Sequence, residues 1–121
     1  MESLNATHAH DFANEWVGAW NSHDLEQIMS HYADDVTLVS PTAAMLLGDS
    51  SGEVRGKDAL RAYFHKGLEV YPNLNFEIFD VMWGVNSVVV CYFNQKGTKS
   101  AELMELDGQG QVTRVVANYG A

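Results

Sequence analysis

The residues able to do chemistry are few and scattered. In the run Ala101-Glu102-Leu103-Met104-Glu105-Leu106, strand alternation puts Glu102, Met104 and Leu106 on one face and Ala101, Leu103 and Glu105 on the other. A carboxyl on an apolar face is driven towards its neutral form by desolvation, so Glu102 could serve as general acid or base near neutrality. The alternative is a half-exposed strand with Glu102 in solvent near an edge. Asp34 and Asp35 are adjacent carboxylates, but they fall between a helical pattern and a β-branched run. Aspartates there bond local backbone N–H groups and start turns. His8 and His10 form a His-x-His pair, a poor metal site without further ligands, so no metal is expected. His31 and His65 lie on helical patterns beside inner stripes, where a partly exposed surface histidine is the simpler reading than a base. His23 reads as an exposed loop residue.

These side chains need elements to hold them. Residues 1–9 read as a loose polar arm. Phe12, Trp16, Ala19 and Trp20 then recur at i, i+4, i+7 and i+8, a helix with two indoles on its inner face. After a short polar break, Asp24 and Gln27 make a capping-box pattern ahead of a stripe of Leu25, Ile28, Met29 and Tyr32. Val36 to Val39 reads as a strand that Ser40-Pro41 ends. Residues 42–52 read as a Gly/Ser-rich loop, with Met45, Leu46 and Leu47 forming either a lid over a cavity or a short helical turn packed on the sheet edge. Glu53-Val54-Arg55 is a short strand candidate. Gly56-Lys57-Asp58 opens a helix that carries Leu60, Tyr63, Phe64, Leu68 and Tyr71 inward until Pro72 stops it. Four strand-like runs follow, over 76–83, 88–94, 100–106 and 112–119, joined by short Gly/Asn turns that predict antiparallel neighbours. Helices segregated from an antiparallel sheet give the α+β class.

Length allows one domain with a core and room for a cavity: 121 residues, 46% hydrophobic and 19% charged. A net charge of −9 argues against nucleic acid and against anionic membrane surfaces as partners. Cys91 is the single cysteine, so no internal disulfide can form, and its apolar surroundings suit a small buried thiol. No signal-like opening and no run near the roughly 20 apolar residues of a membrane span is present, so a cytoplasmic protein is expected.

The element order, together with Ala19-Trp20-Asn21-Ser22-His23-Asp24-Leu25, Tyr32-Ala33-Asp34-Asp35-Val36, Val54-Arg55-Gly56-Lys57-Asp58-Ala59-Leu60 and Asp107-Gly108-Gln109-Gly110-Gln111-Val112, resembles the NTF2-like superfamily and within it SnoaL-like proteins. The likeness covers about residues 10 to 120. It implies a cystatin-like cone, in which a curved antiparallel sheet wraps three helices of the N-terminal half around an apolar pocket, and a homodimer formed through the outer sheet face. Relatives of this kind include ketosteroid isomerases, polyketide cyclases and epoxide hydrolases as well as binding and assembly modules.

Carried over residue by residue, the enzyme patterns are broken. Ser40 stands where the isomerase pattern needs a carboxylate base, and a serine hydroxyl cannot take that proton. Trp16 falls where that pattern has a tyrosine, and only the second oxyanion carboxyl has a counterpart, Glu102. The C-terminal tail Val116-Ala117-Asn118-Tyr119-Gly120 lacks the His and acidic residue of the cyclases, and Arg55, Arg61 and Arg114 form no Asp-Arg-Asp set. Two functions follow as expectations. In one, Trp16, Trp20, Tyr32, Ser40, Phe64, Met104, Ala117 and Tyr119 line a pocket for a small apolar molecule, with acid/base chemistry, if any, at Glu102 and no cofactor. In the other, the chain is a non-catalytic homodimeric binding or assembly module, since residues 88–93 offer two apolar faces.

Overall fold

The computed structural model describes residues 4–121. Residues 1–3 of the expected arm lie outside these, and residues 6–9 of it are helical. Helix α1 begins at Ala6, where the Asn5 side chain accepts from the His8 N–H at 2.9 Å, so an Asx cap satisfies a first-turn donor. Helix α1 (Ala6–Ser22) turns Ala9, Ala13, Trp16, Val17, Ala19 and Trp20 into the core. It ends at His23, which takes the left-handed conformation at φ 60°. His23 is therefore a C-cap rather than a free loop residue, and its Nε2 bonds the Leu74 carbonyl at 2.8 Å.

Helix α2 (Leu25–Met29) starts at the expected Asp24 cap, whose carboxylate accepts from the Glu26 and Gln27 N–H groups. It ends before Tyr32, which opens strand β1 (Tyr32–Val39). Asp34 and Asp35 accordingly lie inside a strand and not in a turn. They are exposed, in the stretch between Tyr32 and Thr37 where the register against the neighbouring strand shifts. A bulge lets two successive side chains face solvent without forcing a buried one out. The segment expected as a loop contains helix α3 (Pro41–Leu47), with Ser40 as N-cap and Pro41 at the first position. This fits the packed helical turn: Ala43 is buried against the sheet edge while Met45 and Leu47 point outward. Strand β2 (Glu53–Arg55) and helix α4 (Lys57–Val70) follow, then β3 (Glu77–Trp83), β4 (Ser87–Phe93), β5 (Lys99–Leu106) and β6 (Val112–Tyr119).

The strands form one six-stranded sheet in the order β2-β1-β6-β5-β4-β3. The α+β class and the helix-filled concave sheet are as expected, with one correction. β1 pairs with β6 in parallel, while the other pairs are antiparallel. Hairpin turns dictate antiparallel pairing only between consecutive strands; β1 reaches β6 through the whole intervening chain, so either direction is sterically open. Register shifts in β1/β6, β3/β4 and β5/β6 bend the sheet. Its inner face carries Val36, Leu38, Val88, Val90, Met104, Val112 and Val115, all buried.

At the centre of the core the Trp16 Nε1–H donates to the Tyr32 hydroxyl at 2.9 Å. This bond ties α1 to β1, and Trp16 also stacks on Phe76 and contacts Trp20 and Tyr92. Replacing Tyr32 with Phe leaves a buried indole donor without its partner. We expect a loss of about 1–3 kcal/mol in stability, read by urea denaturation, with an unchanged circular dichroism spectrum.

Candidate active site

Between the concave face and helix α4 lies a cavity of about 240 Å³. Its lining is rich in aromatic side chains, Trp20, Tyr63, Phe64, Tyr71, Phe76, Tyr92 and Tyr119. Local sequence fixes how these rings arrive. Tyr63, Phe64 and Gly67 come from the inner face of α4, and Tyr71 is its C-cap. Leu74 and Phe76 precede β3 in irregular chain, which the end of α1 holds in place. The Asn21 amide donates to the Phe76 carbonyl at 2.9 Å and accepts from its N–H at 2.7 Å, and His23 bonds Leu74.

Glu102 is the carboxylate of the lining, and no histidine lines it. It is 8% exposed. The β4–β5 register sets Glu102 opposite Val90 and Ser100 opposite Tyr92, so Tyr92 lies diagonally across from Glu102 on the same inward face. Its hydroxyl donates to Glu102 Oε2 at 2.6 Å. Burial drives the Glu102 pKa up to about 7, and the Tyr92 hydrogen bond, which favours the anion, offsets part of that rise. The phenols of Tyr92, Tyr63 and Tyr119 are each held above the ordinary tyrosine value, first by burial and further by the negative charge of Glu102 or a neighbouring phenol. All three are neutral donors at any working pH.

Ser40, at the end of β1, also lines the cavity. It is 3% exposed, accepts from the Thr42 N–H at 3.1 Å as N-cap of α3, and lies 3.3 Å from the Tyr119 hydroxyl. Its N–H donates to the Gly52 carbonyl at 2.9 Å. Gly52 has φ +63°, and a Cβ there would come within 2.5 Å of the Ser40 carbonyl oxygen, so only glycine permits this approach.

Of the residues expected around a pocket, Trp20, Ser40, Phe64, Glu102, Ala117 and Tyr119 line the cavity. Trp16, Tyr32 and Met104 lie in the closed core behind it, each at most 1% exposed. Met104 is opposite Val88 and Val115, one inward step deeper along β5 than Glu102. Tyr63, Tyr71, Phe76 and Tyr92, and the collar Asn94, Gln95, Lys96 and Thr98, were not expected there. The inner stripe of α4 already contained Tyr63 and Tyr71, and pairing the two strands across the 95–98 turn would have brought Tyr92 beside Glu102. His31 and His65 are away from the cavity: His31 packs edge-on to Phe12 and burial lowers its pKa, and the exposed His65 faces Glu69 at 3.1 Å. Among the described residues no cluster of three or more His, Cys, Asp or Glu side chains could hold a metal ion.

Comparison with known proteins now places the chain. The SnoaL-like domain matches residues 13–119. The chain belongs to that family. Among solved structures, a SnoaL-like protein of unknown function from Burkholderia thailandensis is similar at 36% identity and TM-score 0.94, covering 99% of this chain and 100% of that one. An NTF2-like protein of unknown function from Cytophaga hutchinsonii shares the fold at 15% identity and TM-score 0.71, covering 99% and 95%. The epoxide hydrolase/cyclase-like enzyme SalBIII, of pyran ring formation in the polyether salinomycin, shares it at 16% identity and TM-score 0.76, covering 96% and 93%. No curated protein matches.

The raised carboxyl has a thermodynamic signature. Folding binds a proton at Glu102 between its ordinary value of 4.5 and about 7, so stability contributed by the neutral form is complete below the first and lost as pH rises through the second. We expect wild-type stability to fall by roughly 3 kcal/mol across that window and Glu102→Gln to remove this component. Tyr92→Phe, by deleting the bond that favours the anion, should move the upper limit to higher pH. Urea unfolding as a function of pH measures all three.

Proposed function

We propose that this SnoaL-like protein binds a small, mostly apolar molecule in the aromatic cavity and exchanges a proton with it through Glu102. The observation that carries this reading is the buried carboxyl at the cavity wall with one phenol as its partner. Below about pH 7 the neutral acid can donate to a carbonyl or hydroxyl oxygen, with Tyr92 holding its other oxygen in place. Above that it can take a proton from an activated C–H or O–H. Donation and abstraction by the same carboxyl in sequence would shift a proton within a bound ligand, which is chemistry of the isomerase or cyclase type. Ser40 and Tyr119 offer neutral hydroxyls for orientation. As Ser40 cannot serve as a base, a mechanism with two carboxylates is not part of this proposal. Trp16 acts at one remove, through its bond to Tyr32 and its stacking.

A lipophilic ligand library should raise the melting temperature of the wild-type protein, because a ligand that binds only the native state stabilises it. Carbonyl-bearing hits should weaken as pH rises past 7 in the wild type and lose that dependence in Glu102→Gln. If no compound shifts the transition, the reading fails.

A second reading rests on a different face. The registers place Met82, Val89, Leu103, Val116 and Val39 side by side across five strands of the outer surface. Met82 is exposed and the other four are half-buried, a continuous apolar row that a second copy could cover. We expect a homodimer by multi-angle light scattering at micromolar concentration and a monomer for Leu103→Glu. A wild-type monomer would remove this reading while leaving the cavity reading standing.

A further inference from the structure

The polar groups of the cavity are segregated along the strands. The β4–β5 and β5–β6 registers align Val90, Glu102 and Ala117 at one level and Tyr92, Ser100 and Tyr119 at the next. The connecting turn beyond them contributes Asn94, Gln95, Lys96 and Thr98 to the lining. Thr98 lies four positions before Glu102, which at strand rise is roughly 13 Å. Trp20, Phe64 and Phe76 are aromatic residues of the same lining, and Tyr92 belongs to the Glu102 end through its hydrogen bond. One end thus holds a carboxyl with hydroxyl neighbours and the other holds an ammonium.

Lys96 is the cation of the cavity lining in a chain of net charge −9. Its Nζ lies 5.7 Å from the centre of the Tyr71 ring, a cation–π contact that keeps it over the aromatic mouth. Among the described residues no carboxylate lies within salt-bridge distance of it. The turn is held by hydrogen bonds of its own. The Asn94 side chain accepts from the Lys96 N–H at 3.0 Å and donates to Thr98 Oγ1 at 2.7 Å, and Thr98 Oγ1 donates back at 3.0 Å. The Lys96 side chain takes no part in these bonds. Gln95 adds a buried amide oxygen with no hydrogen-bond partner at the same end.

We infer that the ligand is an aromatic or polycyclic acid, bound with its carboxylate at Lys96 in the mouth and a carbonyl or hydroxyl at the far end against Glu102 and Tyr92. This rests on the cavity reading above and specifies its ligand class. Orientation follows from charge. The reverse pose would set the ligand carboxylate beside Glu102, where like charges in a poorly solvated site repel. Lys96 also gives a negatively charged protein a local positive potential at the entrance to its cavity, which draws an anionic ligand to that end.

Three probes test this by isothermal titration calorimetry at neutral pH: 6-hydroxy-2-naphthoate, its methyl ester, and 2-naphthol. The acid should bind about fivefold more tightly than the ester, the size of a partly exposed ion pair. The preference should vanish in Lys96→Gln and shrink at high salt. Glu102→Gln should keep the preference for acid over ester while changing the pH dependence of all three probes. Equal binding of acid and ester, or a preference that persists in Lys96→Gln, overturns the inference and leaves the cavity reading intact. If none of the three binds, and the ligand library is also silent, both fall together.

Discussion

A carboxyl on the concave face of β5 governs the structure around it. Removing an ionised group from water is costly, and one hydrogen bond does not offset it. Among the described residues Glu102 has a side-chain hydrogen bond from Tyr92 alone and no cation within salt-bridge distance. The protein accommodates this by letting the group go neutral near pH 7 and by leaving a cavity beside it instead of filling the space with side chains. A methionine or leucine there would pack as Met104 and Leu106 do on the same face. The inward row of β5 runs from Ser100 and Glu102, both buried and polar, to Met104 and Leu106 in the closed core, and the cavity lies beside its polar half.

The rest of the chain can be understood as support for that wall. The Trp16–Tyr32 bond fixes α1 on β1, and α1 in turn fixes Leu74 and Phe76 through His23 and Asn21. His23 takes a left-handed conformation to do so, uncommon for a residue with a side chain and here compensated by its bond to Leu74. On the other side, Gly52 allows Ser40 to sit against the β2 turn and cap α3 in the same position from which it meets Tyr119. Binding energy in such a site would come from the aromatic surface, with the few polar groups setting orientation.

Much of this was readable in one dimension because its causes are local. The Asp24 cap, the indole stripe of α1, the inner stripe of α4 ending at Pro72 and the inward side of Glu102 all follow from periods of 3.6 or 2 and from nearby turn chemistry. Where reading failed, the reason was distance. Trp16, Tyr32 and Met104 were correctly turned inward, but periodicity gives direction and not depth, and they lie under the cavity floor instead of on its surface. Asp34 and Asp35 look like a turn pair because nothing local announces a strand bulge. Residues 42–52 looked like a loop because α3 is a short helix whose outward apolar side chains mask its period.

By itself the sequence determined the α+β class, the order of its elements, the family to which the chain belongs, and the presence of a lone carboxyl on an apolar strand face. Hydrophobic period and capping act between neighbours in the chain, so they survive in the bare string of residues. Only the tertiary structure decided that β1 runs parallel to β6, that Tyr92 is the partner of Glu102, and that Lys96 and Asn94 line the same cavity. Those facts depend on strand register and on how sharply the sheet curves, which are set by contacts between residues far apart in the chain.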